Sequence, residues 1–255
     1  MKAFVVAISA LLLGQPPQQT PKTAAPIDLT GYWVSIVSED WRYRMVTPTK
    51  GDFQGVPVTQ DAVKAANDWS PEADTAAGNQ CRSYGAPAIM RVPGRFHFTW
   101  DGDRTLKLDV DAGTQTRLFK FDKAVAKSDR TWQGDSVAEW DMQPAGRGAA
   151  AGAPRPSTSL GAVLSNVEGR RGSLKVVTTN LKSGYLRKNG VPYSEDAKLT
   201  EYFDVMRARN GDVLLMVTSI VDDPKYLRQP FIVSTQFKKQ PDARGWEPTP
   251  CSASW

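Results

Sequence analysis

The chain has 255 residues, 40% of them hydrophobic, with 32 Lys and Arg set against 27 Asp and Glu, one His and two Cys. A chain of this size can bury one substantial core, and its charges are interspersed, without the one-sided basic stripe that a nucleic-acid binder needs. A lone histidine excludes a multi-histidine zinc or copper site, and the sequence contains no HExxH, GxSxG, GxGxxG or Walker-type glycine loop.

Met1 to Gly14 places Lys2 ahead of an apolar run of 11 residues, Ala3 to Leu13. That run is well short of the roughly 20 residues a membrane span requires, and its charge pattern is that of a secretory signal peptide. A retained anchor is the alternative. Residues 15–27 are proline-rich and lack apolar periodicity, so residues 1–25 read as signal peptide and the start of a tether, and residues 26–255 as one domain. The expected location is exported, periplasmic or extracellular, with no membrane insertion of the mature chain.

Leu29 to Ser38 and Trp41 to Thr47 have the β-branched and aromatic density of strands. Thr59 then opens a short helix: its hydroxyl suits the N-cap, Asp61 suits the positive end, and Ala62, Ala65 and Ala66 are good helix formers. Residues 70–87 read as a loop that carries Cys81. Arg95 to Phe121 forms a meander of three strands. Phe96, Phe98 and Trp100 alternate with His97 and Thr99, Leu106, Leu108 and Val110 alternate with polar residues, and Gln115, Arg117, Phe119 and Phe121 share one face. Further strands fall at Ser136 to Met142, Leu174 to Leu181, Lys198 to Met206, Asp212 to Val221 and Phe231 to Lys239, with Asn210-Gly211 as a hairpin turn. Residues 144–159, rich in Ala, Gly and Pro, read as a flexible surface insertion. About nine or ten strands with one helix predict an all-β, closed or nearly closed antiparallel barrel, because closure removes unpaired edges. A β-sandwich is the alternative.

The runs YWVSIVSEDWRYRMVTP, CRSYGAPAIMRVPGR, DAGTQTRLF, YLRKNGVPYSEDAKLTEYFD and VDDPKYLRQPF resemble a group of exported, lipocalin-like bacterial proteins without an assigned function. The resemblance spans most of Asp28 to Cys251 and implies a calycin-type barrel and export. It brings no catalytic residue with it.

Polar residues that share a strand face with large apolar ones are the candidate site: Glu201 with Leu199, Phe203 and Val205, Arg117 with Phe119 and Phe121, Glu139 with Val137. If those faces line the lumen, Arg117, Phe119, Phe121, Glu139, Glu201 and Phe203 would bind a small, largely apolar molecule. An internal ion pair that fixes strand register is the competing reading. The second function class is a cofactor-independent isomerase, hydratase or lyase with Glu201 or Glu139 as acid or base, His97 being a third candidate. His97 lies opposite Phe96 and Phe98 and suits a structural imidazole. The turn pairs Asp101/Asp103 and Asp109/Asp111 lack a calcium-loop pattern, so no metal is expected. Trp33, Trp41, Arg42, Tyr43 and Arg44 make an aromatic and basic cluster near the expected barrel entrance. Cys81 and Cys251 are expected to form a disulfide, two separate buried thiols being the alternative.

Overall fold

A computed structural model gives the structure of the chain and describes residues 19–122, 129–142 and 172–253. The signal peptide read at residues 1–14 and the insertion read at 144–159 lie outside the described residues.

The predicted meander forms three consecutive strands, β2 (Arg95–Asp101), β3 (Thr105–Val110) and β4 (Gln115–Lys120). With β1 (Gly31–Ile36), β5 (Asp135–Met142), β6 (Gly172–Thr179), β9 (Lys198–Arg207), β10 (Val213–Asp222) and β11 (Phe231–Gln240) they close a nine-strand barrel. The order around it is β1-β11-β10-β9-β6-β5-β4-β3-β2, and β1 closes the ring by pairing with both β11 and β2. β7 (Gly184–Tyr185) and β8 (Pro192–Tyr193) form a separate small hairpin. All but one of the barrel pairings are antiparallel. β4 and β5 run parallel through Phe119↔Ser136 and Lys120↔Val137, because the chain crosses the length of the barrel between them, so the barrel is mixed.

Trp41 to Thr47 is not a strand: α1 (Trp41–Met45) is a single helical turn, followed by extended chain at Val46. Its aromatic residues have strand propensity, but Asp40 enters the left-handed region (φ 49°) and the Arg44 guanidinium is anchored below, donating to Glu39 Oε1 at 2.8 Å and to the Arg91 carbonyl at 3.0 Å. The helix expected after Thr59 is α2 (Gln60–Asn67), with the Thr59 hydroxyl accepting from the Ala62 N–H at 3.2 Å. Residues 70–87 hold more structure than expected. Ser70 caps α3 (Pro71–Ala76), a 3₁₀ turn covers Gln80–Tyr84, and α4 (Ala86–Ile89) follows.

Three connections, 37–94, 180–197 and 223–230, leave and re-enter the barrel at the same end and pack over it. A bridge between Val58 and Leu227 joins two of them. At the far end the N-terminal segment crosses the opening, with Trp140 Nε1 donating to the Pro21 carbonyl at 2.7 Å and the Lys22 N–H to the Asp103 carbonyl at 3.2 Å. After β11 the chain returns along the outside to the capped end, where Cys251 is disulfide-bonded to Cys81 with Cα atoms 5.1 Å apart. The apolar core has two parts. Trp33, Phe96, Phe98, Leu108, Phe119, Phe203 and Phe237 fill the barrel, and Leu186, Val191, Tyr193, Leu199, Val221 and Phe231 fill the space beneath the cap.

Candidate functional site

Four cationic side chains from three parts of the cap line one cleft. Arg44 comes from α1, Arg91 follows α4, and Arg187 and Lys188 sit in the loop between β7 and β8; Tyr43, Ser83, Ala88, Val92 and Leu186 complete the lining. The loop is held closely. Leu186 N–H donates to the Val191 carbonyl at 2.7 Å, and the Asn189 amide donates to the carbonyls of Thr49 and Asp52 at 3.1 and 2.9 Å. Gly190 turns the chain at φ 82° against Trp69, whose Cβ would lie 2.3 Å from any Cβ placed there.

Long cationic side chains are almost never fully buried unless paired. Here Arg44, Arg91, Arg187 and Lys188 are 3%, 6%, 4% and 5% exposed. Glu39 takes one N–H of Arg44, Asp40 Oδ2 takes one from Arg91 at 3.0 Å, and Asp52 acts on Arg187 through its charge, so the three guanidiniums are opposed by three carboxylates, only two of them in direct contact. Arg44 Nη2, Arg91 Nη2, and Nε and Nη1 of Arg187 remain buried without a hydrogen-bond partner among the described residues. Arg187 is otherwise stacked over the Tyr43 ring, its Cζ 4.0 Å from the centroid. Lys188 Nζ donates to Tyr84 Oη at 2.8 Å and lies 4.4 Å from the same ring's centroid.

The charges feel this crowding. Burial, then the neighbouring Arg91, lowers Arg187 to about 10. Burial lowers Arg44 as well, with Arg91 adding to the effect and Glu39 opposing it. Lys188 drops to about 7 because its ammonium form loses hydration. The same desolvation raises Tyr84, which therefore stays a neutral phenol near neutrality. The free space between these groups is about 20 Å³, room for one water or one ligand oxygen. α1 also borders a larger groove of about 240 Å³, lined by Trp41, Arg42, Val46, Thr47, Pro48, Thr49 and Asp52. Excess positive charge with unpartnered N–H groups suits a carboxylate or phosphate oxygen, since charge-assisted hydrogen bonds are the strong ones.

Sequence reasoning placed the site elsewhere. Arg117 and Glu201 do point into the barrel, and both side chains are 0% exposed. Arg117 Nη1 and Nη2 donate to the two oxygens of Glu201 at 3.0 and 2.5 Å, and Nη2 also to Thr178 Oγ1 at 3.3 Å. Phe119 and Phe203 pack beside them, ring centroids 5.5 Å apart, so at this level the interior is occupied by its own side chains. Glu139 is not in the lumen. It shares the outer face of β5 with Val137, Ala138 being the residue that turns inward, and it accepts from Lys175 Nζ at 2.8 Å. Phe121 stacks on Trp100 and, with Glu139, borders a groove of about 390 Å³ at the far end against Pro21, Ala24 and Trp140. His97 faces outward, stacked on Tyr32 at 3.9 Å, and burial lowers its pKa despite the nearby Asp109.

The aromatic and basic cluster around Trp41 divides. Trp33 is core, Trp41 is 62% exposed, and only Tyr43 and Arg44 reach the cationic cleft. Arg91, Arg187, Lys188, Ser83 and Tyr84 were not singled out by pattern, although CRSYGAPAIMRVPGR and YLRKNGVPYSED contain all of them. The one local signal was the density of cations among glycine and proline residues. Compared with family models, curated proteins and solved structures, the chain matches none.

Proposed function

We propose that this protein is an exported barrel that binds a small, largely apolar molecule through an anionic group, gripped at the capped end by Arg44, Arg91 and Arg187. One observation carries the reading: three buried guanidiniums converge on a single cleft with N–H groups that nothing among the described residues satisfies. Leaving such donors unmade costs stability, and a ligand oxyanion recovers it. The apolar groove beside α1, with Trp41, Val46 and Pro48, offers a surface for the remainder of the ligand. Export is supported by the charge and apolar pattern of residues 1–14 and by the Cys81–Cys251 disulfide.

Thermal unfolding with octanoate and with octanol tests this. Octanoate at a hundredfold excess over its dissociation constant should stabilise the fold by about 2.7 kcal/mol, and octanol should do far less. Arg187→Gln should reduce the octanoate shift measured relative to the unliganded variant. Equal shifts from the acid and the alcohol, or none from either, would remove the anion from the proposal.

A further inference from the structure

We infer that the cationic cleft is a halide site, in which one chloride ion sits among the guanidiniums of Arg44, Arg91 and Arg187 and must leave before a ligand's oxyanion can enter. The inference rests on the anion-binding reading above and deepens it by naming the competitor that sets the apparent affinity of that cleft.

Size and hydrogen-bonding capacity carry it. The space is about 20 Å³, which a single water-sized atom fills. A carboxylate or phosphate can therefore reach in with one oxygen only, whereas a monatomic anion enters whole. Four nitrogens of the three guanidiniums, Arg44 Nη2, Arg91 Nη2, and Nε and Nη1 of Arg187, are buried without a partner among the described residues. A guanidinium only donates. A water answers these donors poorly, because it has two lone pairs and brings two protons of its own against cationic walls. A halide accepts from every side and brings none.

The charges agree. Among the described residues no carboxylate lines the space, and Lys188, which does, adds to the positive side when protonated. Glu39 and Asp40 contact Arg44 and Arg91 with side chains 31% and 38% exposed to solvent, and Asp52 is held by Arg42 at 3.0 Å. Arg187 shows the balance: burial and Arg91 outweigh Asp40, Tyr43 and Asp52 and lower its pKa to about 10. An anion among the guanidiniums opposes that shift. Ala88, Val92 and Leu186 add apolar wall, which suits a weakly hydrated ion such as chloride better than a strongly hydrated one such as fluoride.

Bromide is the probe, since its anomalous scattering locates it. Crystals of the full exported chain grown in sodium bromide should show an anomalous peak among the guanidiniums of Arg44, Arg91 and Arg187. In solution, bromide should raise the melting temperature saturably, and Arg187→Gln should weaken that binding at least tenfold. Calorimetric titration with octanoate is the second measurement, with ionic strength held by sodium tetrafluoroborate, whose anion is bulky and a weak hydrogen-bond acceptor. Chloride at ten times its own dissociation constant should raise the apparent octanoate dissociation constant about elevenfold. No bromide in the cleft, a bromide shift unchanged in Arg187→Gln, or octanoate affinity indifferent to chloride would overturn the inference. If octanoate stabilises the fold and octanol does not while bromide stays out of the cleft, the halide fails and the anion reading stands. If bromide occupies the cleft but octanoate and octanol act alike, the halide site stands and it is the ligand reading that has failed.

Discussion

Arg117 on β4 and Glu201 on β9 meet across the barrel interior, with two strands between theirs in the sheet and 84 residues apart in sequence, through a two-pronged ion pair. Both ends are out of water, so the attraction is weakly screened and the loss of either partner strands the other. Glu201→Gln should cost about 3–5 kcal/mol in chemical denaturation. Joint replacement by Arg117→Met and Glu201→Leu should recover most of that loss. A single variant as stable as the parent would show that the pair does not hold the interior.

Glu139→Gln supplies the contrast. Glu139 and Lys175 pair on the outer face, where water competes for both, with Glu139 61% exposed. The substitution should shift unfolding stability by no more than about 0.5 kcal/mol. A larger loss would place Glu139 in a structural role that its exposure does not suggest.

Strand parity and strand facing differ in how far a sequence reveals them. Period two correctly grouped Arg117 with Phe119 and Glu201 with Phe203, and their apolar companions told which way the group pointed. On β5 the same rule grouped Glu139 with Val137 but pointed them inward, because the true inward residues, Ser136 and Ala138, are small. Large side chains on the neighbouring β4, Phe119 and Arg117, fill that part of the barrel and leave space only for small ones. The cap was harder still. α1, α3 and α4 are six residues or fewer, too short to display a helical period, and the site residues come from turns where no period exists. What brings Arg44, Arg91 and Arg187 together is tertiary, and no spacing between positions 44, 91 and 187 announces it.

Lys188 should make stability depend on pH in a definite direction. Its folded value of about 7 lies below the ordinary 10.5, so between those values the unfolded chain binds more protons. The contribution of Lys188 to stability therefore rises as pH rises from about 7 to about 10.5. Lys188→Met removes that contribution. Denaturation of both proteins at pH 7, 8 and 9 should show the variant's advantage shrinking with pH, and parallel profiles would contradict the burial assigned to the amine.

Removing the disulfide should be felt at the cleft as well as in overall stability. Cys251 precedes Ser252, whose N–H donates to Tyr84 Oη at 3.3 Å, and Cys81 lies three residues before Tyr84. Paired replacement by Cys81→Ser and Cys251→Ser should cost about 2–4 kcal/mol, and should weaken octanoate binding, by loosening the tyrosine that contacts Lys188. Unchanged octanoate affinity in the folded variant would show that Tyr84 holds its place without the tail.

All three connections that build the cap begin and end at strand termini on one rim. The ladder hydrogen bonds and the Arg117–Glu201 pair lie below that rim and share no residue with the cationic cleft. If the cleft binds as proposed, recognition and architecture are separable: the exposed and charged positions of residues 37–94 and 180–197 can change while the apolar ones that pack on Leu199, Val221 and Phe231 keep the cap seated on the barrel. A set of such barrels differing only at that rim would fold alike and choose different ligands, and grafting the two segments together, not singly, is what would move the specificity from one to another.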